Sequence, residues 1–155
     1  MLVLVLAVFF LQMAFSAHLN FFRIQPDFLL IAVIFLSFYV RFSQALLIAF
    51  CSGFLKDSFT AGVFGSNIFS FLLITVLLEQ YKRYVYREDL YLKVVLVFLA
   101  CLINGLINYL VILSQFSASF FSSLFFIILP EGIYTTLFAP AIFWLMRRCV
   151  LKYSI

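Results

Sequence analysis

The chain has 155 residues, 67% of them apolar, 21% aromatic and 10% charged, with a mean hydropathy of +1.24. A soluble domain carries about 25% charged and about 45–50% apolar residues, so in water this chain would expose large apolar patches. The composition describes an integral membrane protein, and the +4 charge, from ten Lys and Arg against six Asp and Glu, suits an anionic membrane surface rather than nucleic acid.

Runs such as FLLIAVIFLSFYV are apolar on every side rather than alternating, which excludes a membrane β-barrel and leaves a helical bundle. A spanning helix takes about 20 residues, so the length admits about six spans and no separate soluble domain. We read residues 1–155 as a single all-α polytopic domain with spans near 2–19, 26–40, 42–56, 66–80, 90–113 and 130–147.

The first run, MLVLVLAVFFLQMAFSA, has no basic leading region and places Phe15 where a signal-peptide cut needs a small residue, so it reads as a retained span. Gln12 and His18 are its isolated polar residues. Pro26, which has no N–H to leave unbonded in a first turn, suits the start of the second span. The stretch KDSFTAGVFG, with Gly62 and Gly65, reads as a turn between the third and fourth spans. EQYKRYVYRED is the one strongly charged loop. Residues 115–128 are apolar yet too short to span once Pro130 interrupts them. Gln115, Ser119, Ser122 and Ser123 share one helical arc there, which suits an interfacial or re-entrant segment.

Basic residues near span ends stay cytoplasmic. With six spans, one side collects Arg41, Lys82, Arg83, Arg87, Lys93, Arg147, Arg148 and Lys152, and the other only Arg23 and Lys56. Both termini are therefore expected in the cytoplasm. A seventh span across 115–128 would equalise the two sides and is disfavoured. Tyr81, Tyr84, Tyr86, Tyr91, Trp144 and Tyr153 match an aromatic belt on the basic side.

Charge is costly inside a bilayer, roughly 3 kcal/mol per residue on insertion scales, so the placing of the acids is informative. Asp27 opens the second span, Asp57 closes the third and Glu131 opens the sixth, all near the extracytoplasmic boundary with Arg23 and Lys56. Asp27 and Glu131 at helix starts offset the dipole; together with Asp57 they are also candidates for a polar cluster that holds the helices or receives a partner's juxtamembrane segment. Within the fifth span Cys101, Asn104, Gly105 and Asn108 form a small and polar stripe of the kind that packs helix on helix. The many Phe residues read most simply as lipid-facing.

The sequence offers no charged pair in mid-span, no nucleophile with a base, no phosphate loop and a single imidazole. Three widely spaced cysteines, with no Cys-x-x-Cys, give no metal or disulfide pattern. No cofactor and no catalysis are expected.

In order and spacing, three stretches resemble the rod shape-determining protein MreD family. PDFLLIAVIF is similar to the opening of the family's second helix. GFLKDSFTAGVFGSN resembles its Gly, Asp and Gly-turn segment, with Gly53, Asp57 and Gly65 in the matching places. PEGIYTTLFAPAIFWLMRR resembles its last helix, including Pro130, Glu131, Pro140 and the Arg147–Arg148 ending. With Pro26 and Asp27, these residues are the candidate partner-binding or structural cluster.

The resemblance implies a non-enzymatic scaffold of the bacterial cell-elongation machinery in the cytoplasmic membrane. Its implied partners are MreC, through that protein's membrane helix, RodA, a class B penicillin-binding transpeptidase, the MreB filament and membrane lipids. The implied fold is similar to the substrate-binding S component of energy-coupling-factor vitamin transporters, which makes vitamin capture the alternative function. Against that alternative, Leu11 rather than Ala lies four residues after Ala7, so the Ala-x-x-x-Ala docking patch of such components is absent from the first span.

Overall fold

A computed structural model of the protein describes residues 2–18, 26–60, 63–82, 90–113 and 128–153. Among these residues the fold is helical throughout: α1 (Leu2–His18), α2 (Phe28–Tyr39), α3 (Phe42–Phe59), α4 (Ser66–Tyr81), α5 (Leu90–Leu113) and α6 (Leu129–Tyr153). The 115–128 segment lies outside the described residues except for Ile128, which packs against Gly105, and so does the charged loop from Arg83 to Asp89.

α2 is the axis of the molecule. It packs against α1, α3, α4, α5 and α6, and every residue from Phe28 to Phe38 is buried. A helix apolar on all sides is stable only when covered on all sides, and between Phe28 and Phe38 the one polar side chain is Ser37. That hydroxyl is satisfied within the helix by donating to the Val33 carbonyl at 2.7 Å. At 12 residues α2 is about 18 Å long, well short of a bilayer core of about 30 Å. α5 alone among the described helices is both long and apolar enough to cross a membrane by itself, over Tyr91–Val111 at a hydropathy of 2.4.

The phenylalanines divide between two environments, which corrects the simple lipid-facing reading. Phe28, Phe35, Phe71 and Phe143 fill the core, with the Phe35 and Phe143 rings 5.5 Å apart across α2 and α6. Phe10, Phe50, Phe54, Phe59, Phe64 and Phe69 cover the outside. Aromatic rings serve both places because their large apolar area packs equally well against protein or lipid.

Two helices run past their expected ends. α3 continues through Lys56 and Asp57 to Phe59, leaving Val63–Gly65 as the described part of the turn. α6 extends through Arg147 and Arg148 to Tyr153. At the other boundary α2 starts later than Pro26, at Phe28, because Asp27 takes the N-cap position.

Candidate functional site

The short central helix creates a physical problem. Thr135 lies six residues inside α6, Gln12 six residues from the end of α1, and Asn104 nine residues from the end of α5, and all three reach the beginning of α2. At 1.5 Å per residue, α2 therefore begins about 9–14 Å below the rim of its neighbours. The first N–H groups of a helix have no partner in the helix itself, and in an apolar surrounding each needs one.

Every one of these donors is met. The Asp27 N–H donates to Thr135 Oγ1 at 3.2 Å, Phe28 N–H to the Pro26 carbonyl at 3.2 Å, Leu29 N–H to Gln12 Oε1 at 3.1 Å and Leu30 N–H to Asp27 Oδ1 at 3.3 Å. Thr135 can accept because its own proton goes to the Glu131 carbonyl at 2.7 Å. Gln12, isolated in the sequence, thus supplies one of the caps of the central helix.

The charge of Asp27, only 2% exposed, is met by Lys56 in an ion pair and hydrogen bond, and Asn104 Nδ2 reaches Asp27 Oδ2 at 3.4 Å. The pair joins two residues that the sequence places at span ends, Asp27 at the start of α2 and Lys56 in the last turn of α3. Lys56 is a long side chain near the end of α3, and it extends its ammonium to the carboxylate while lying 5.4 Å from the Phe71 ring centroid. Glu131 is the third charge within electrostatic reach.

Asp57 does something different. Its carboxylate accepts from the N–H groups of Gly65 (3.0 Å), Asn67 (3.2 Å) and Ile68 (3.2 Å), and from Asn67 Nδ2 at 2.8 Å. An acid near the end of α3 opposes that helix's dipole, whereas the same charge at the start of α4 is favourable. Gly65 makes the approach possible with φ of +100°, a conformation in which a side chain is strained. Gly53 lets the two helices close up: a Cβ there would lie 2.6 Å from the Ile68 Cα.

The two carboxylates belong to one network. Asn108 Nδ2 donates to Asn67 Oδ1 at 3.2 Å, to Asn104 Oδ1 at 3.3 Å and to the Asn104 carbonyl at 3.1 Å, and Ser66 Oγ donates to Asn108 Oδ1 at 2.7 Å. A continuous line of amides therefore runs from Asp57 through Asn67, Asn108 and Asn104 to Asp27. The stripe read from the sequence as packing splits accordingly. Asn104 and Asn108 are bridging polar residues. Gly105 lies where a Cβ would meet Ile128 Cγ2 at 2.7 Å, which is a close packing contact. Cys101 is a buried free thiol on the same helix, and Cys51 is also free.

The structure thus joins Pro26, Asp27, Asp57, Gly65, Asn104 and Asn108 in one assembly, with Gly53 at its closest helix crossing and Glu131 at its edge. Lys56, Asn67, Thr135, Gln12 and Ser66 are participants that sequence reasoning did not assign. Spacing held part of the signal: Thr135 is one turn beyond Glu131, and Asn67 follows the Gly65 turn.

The family profile of the rod shape-determining protein MreD matches residues 1–149, nearly the whole chain. The chain belongs to the MreD family. It is thereby a membrane protein with a role in rod shape determination, in a family of shape-determining structural proteins. No curated protein and no solved structure matches it. Nothing in the family match supports the vitamin-capturing alternative.

Proposed function

We propose that this MreD-family protein is a non-catalytic scaffold of the cell-elongation complex, a six-span bundle in the bacterial cytoplasmic membrane with both termini in the cytoplasm. The observation that carries the reading is the family match over residues 1–149, and the buried network is consistent with it. Its carboxylates are occupied by backbone N–H groups, amides and an ammonium. Groups held in this way fix helices relative to one another and give the bundle a rigid shape on which partners can assemble.

In this role the chain holds the membrane helix of MreC and stands beside RodA and a class B penicillin-binding transpeptidase, coupling them to the MreB filament on the cytoplasmic side. Pro26, Asp27, Gly53, Asp57, Gly65 and Glu131 form the structural centre, and Cys101, Asn104, Gly105 and Asn108 tie α5 to it. Eight basic residues on one side against two on the other support the orientation.

The test is co-expression of a carboxyl-terminally tagged chain with MreC, RodA and the transpeptidase from the same genome, followed by gentle solubilisation. Recovery of MreC in stable proportion is expected, with reduced recovery for Asp57→Ala and Glu131→Ala. A chain that purifies alone, or with an ATPase module, overturns the scaffold reading. Cytoplasmic and extracytoplasmic reporter fusions at the carboxyl terminus test the orientation separately.

A further inference from the structure

α4 and α5 do not close along their whole length. Toward the end of α4 and the start of α5 they leave a groove of about 340 Å³, walled by Ile74, Leu77 and Tyr81 on α4 and by Leu96, Leu99 and Ile103 on α5. Leu99 is 48% exposed and Tyr81 57% exposed, so the groove opens to the outside of the bundle, while Ile74 forms its buried floor. Its lining is apolar apart from the phenol of Tyr81. The groove covers eight residues of each helix, about 10 Å along the axis. That length lies within one leaflet, half of a hydrocarbon core of about 30 Å. The volume is at the small end of ligand sites and suits a flexible chain rather than a helix of about 10 Å diameter.

The groove ends on α4 next to a basic residue. Lys82, the residue after Tyr81, donates from Nζ to the Val40 carbonyl at 2.9 Å and reaches Glu79 Oε2 at 3.4 Å. An ammonium carries three N–H donors, so one remains for a further acceptor. Arg41, exposed, follows Val40 directly. Among the described residues Arg41, Lys82, Arg147 and Arg148 lie at this end of the bundle with the acid Glu79, while Lys93 is buried against the Phe38 and Tyr39 rings. Basic pockets between membrane helices on the cytoplasmic side take anionic lipid headgroups.

We propose that the α4–α5 groove is a binding site for an anionic phospholipid, with one acyl chain along Leu77 and Leu99 and the phosphate on the Lys82 ammonium. The headgroup selects for negative charge and the groove holds the chain. A lipid seated there fills this gap between α4 and α5. The site lies at the opposite end of α4 from the Asp57 network and is separate from it. The cytoplasmic side of the groove rests on the orientation proposed above, but headgroup selectivity in detergent does not depend on it.

The experiment is native mass spectrometry of the full chain in mild detergent with equal amounts of phosphatidylglycerol and phosphatidylethanolamine. Retained phosphatidylglycerol is expected to exceed phosphatidylethanolamine. Lys82→Gln, which keeps a donor for the Val40 carbonyl, is expected to reduce that preference about fivefold. Leu99→Trp, at an exposed wall, is expected to remove the retained lipid of both kinds, while Leu137→Trp on the exposed face of α6 leaves retention unchanged. Equal retention of both headgroups, a preference that survives Lys82→Gln, or lipid that persists in Leu99→Trp overturns the proposal. So does release of a co-purified protein rather than lipid by Leu99→Trp, which would assign the groove to a partner helix. Size-exclusion profiles matching the native chain confirm that each variant is folded before it is scored.

Discussion

The two ends of this bundle handle charge in opposite ways. At the end where α2, α4 and α6 begin, Asp27, Asp57 and Lys56 are drawn inside and bonded to backbone groups, amides and one another. At the other end Arg41, Arg147 and Arg148 project outward and Lys82 pairs only loosely with Glu79, while Lys93 is the one described charge drawn inside, against the Phe38 and Tyr39 rings. The difference follows from helix length. α2 stops short inside the bundle at the first end, and its unbonded N–H groups demand internal acceptors. At the second end its C-cap N–H closes on the Leu36 carbonyl at 3.0 Å, and the Lys82 ammonium reaches the Val40 carbonyl. The first end is therefore the more internally bonded of the two.

The largest effect separating the two ends is expected at Lys56. Lys56→Met leaves the Asp27 carboxylate buried without its cation, and breaking a buried pair in this way costs about 3–5 kcal/mol. A markedly lower unfolding midpoint in mild detergent is the expected readout. Adding Asp27→Asn in the same chain removes the unpaired charge and restores most of the loss. A double variant no more stable than Lys56→Met would show that the ion pair is not what holds this end.

Asp57→Ala comes next. It strips acceptors from three backbone N–H groups and from the Asn67 amide, and hydrogen bonds to charged groups are worth about 1.5–3 kcal/mol. The loss is expected in hydrogen exchange at the first turn of α4 before it appears in global unfolding, since that turn loses its cap directly. Gly53→Ala probes the same junction by packing alone. Its Cβ would lie 2.6 Å from the Ile68 backbone, so α3 and α4 must separate, at a cost of about 1–3 kcal/mol. Unaltered stability in Gly53→Ala would mean that the crossing is looser than the contact distance implies.

Much of the first end was legible in the sequence, and the reason the rest was not is geometric. An acid after a proline marks a helix start, so Asp27 could be located from sequence, and the Gly65 turn announced α4. What sequence spacing could not give is depth. Nothing in PDFLLIAVIF says that α2 begins about 9–14 Å below its neighbours' ends, and that offset is what makes Gln12, Thr135 and Asn104 its partners. Asp57 illustrates the same limit. Its position at the close of the third span was readable, whereas its bonding to the following helix depends on a close helix crossing, for which Gly53 was a weak hint. Periodicity likewise could not sort the phenylalanines, because a core ring and a lipid-facing ring are chemically the same choice.

The smallest effect is expected at the basic end, and it sharpens the contrast. Arg148 stacks its guanidinium 3.9 Å from the Trp144 ring centroid, and both side chains are exposed. Exposed cation–π contacts are worth about 0.5–1 kcal/mol, so Arg148→Gln is expected to shift the unfolding midpoint barely at all. Its consequence belongs to association instead. Removing a positive charge at this end weakens attraction to anionic lipid by about 1 kcal/mol, so the local enrichment of phosphatidylglycerol beside Arg148 in nanodiscs of mixed lipid should fall about fivefold while the fold is retained. The paired measurement is the informative one. If Arg148→Gln lowered stability as far as Asp57→Ala does, the basic end would carry structure as well, and the division of labour between the two ends would have to be abandoned.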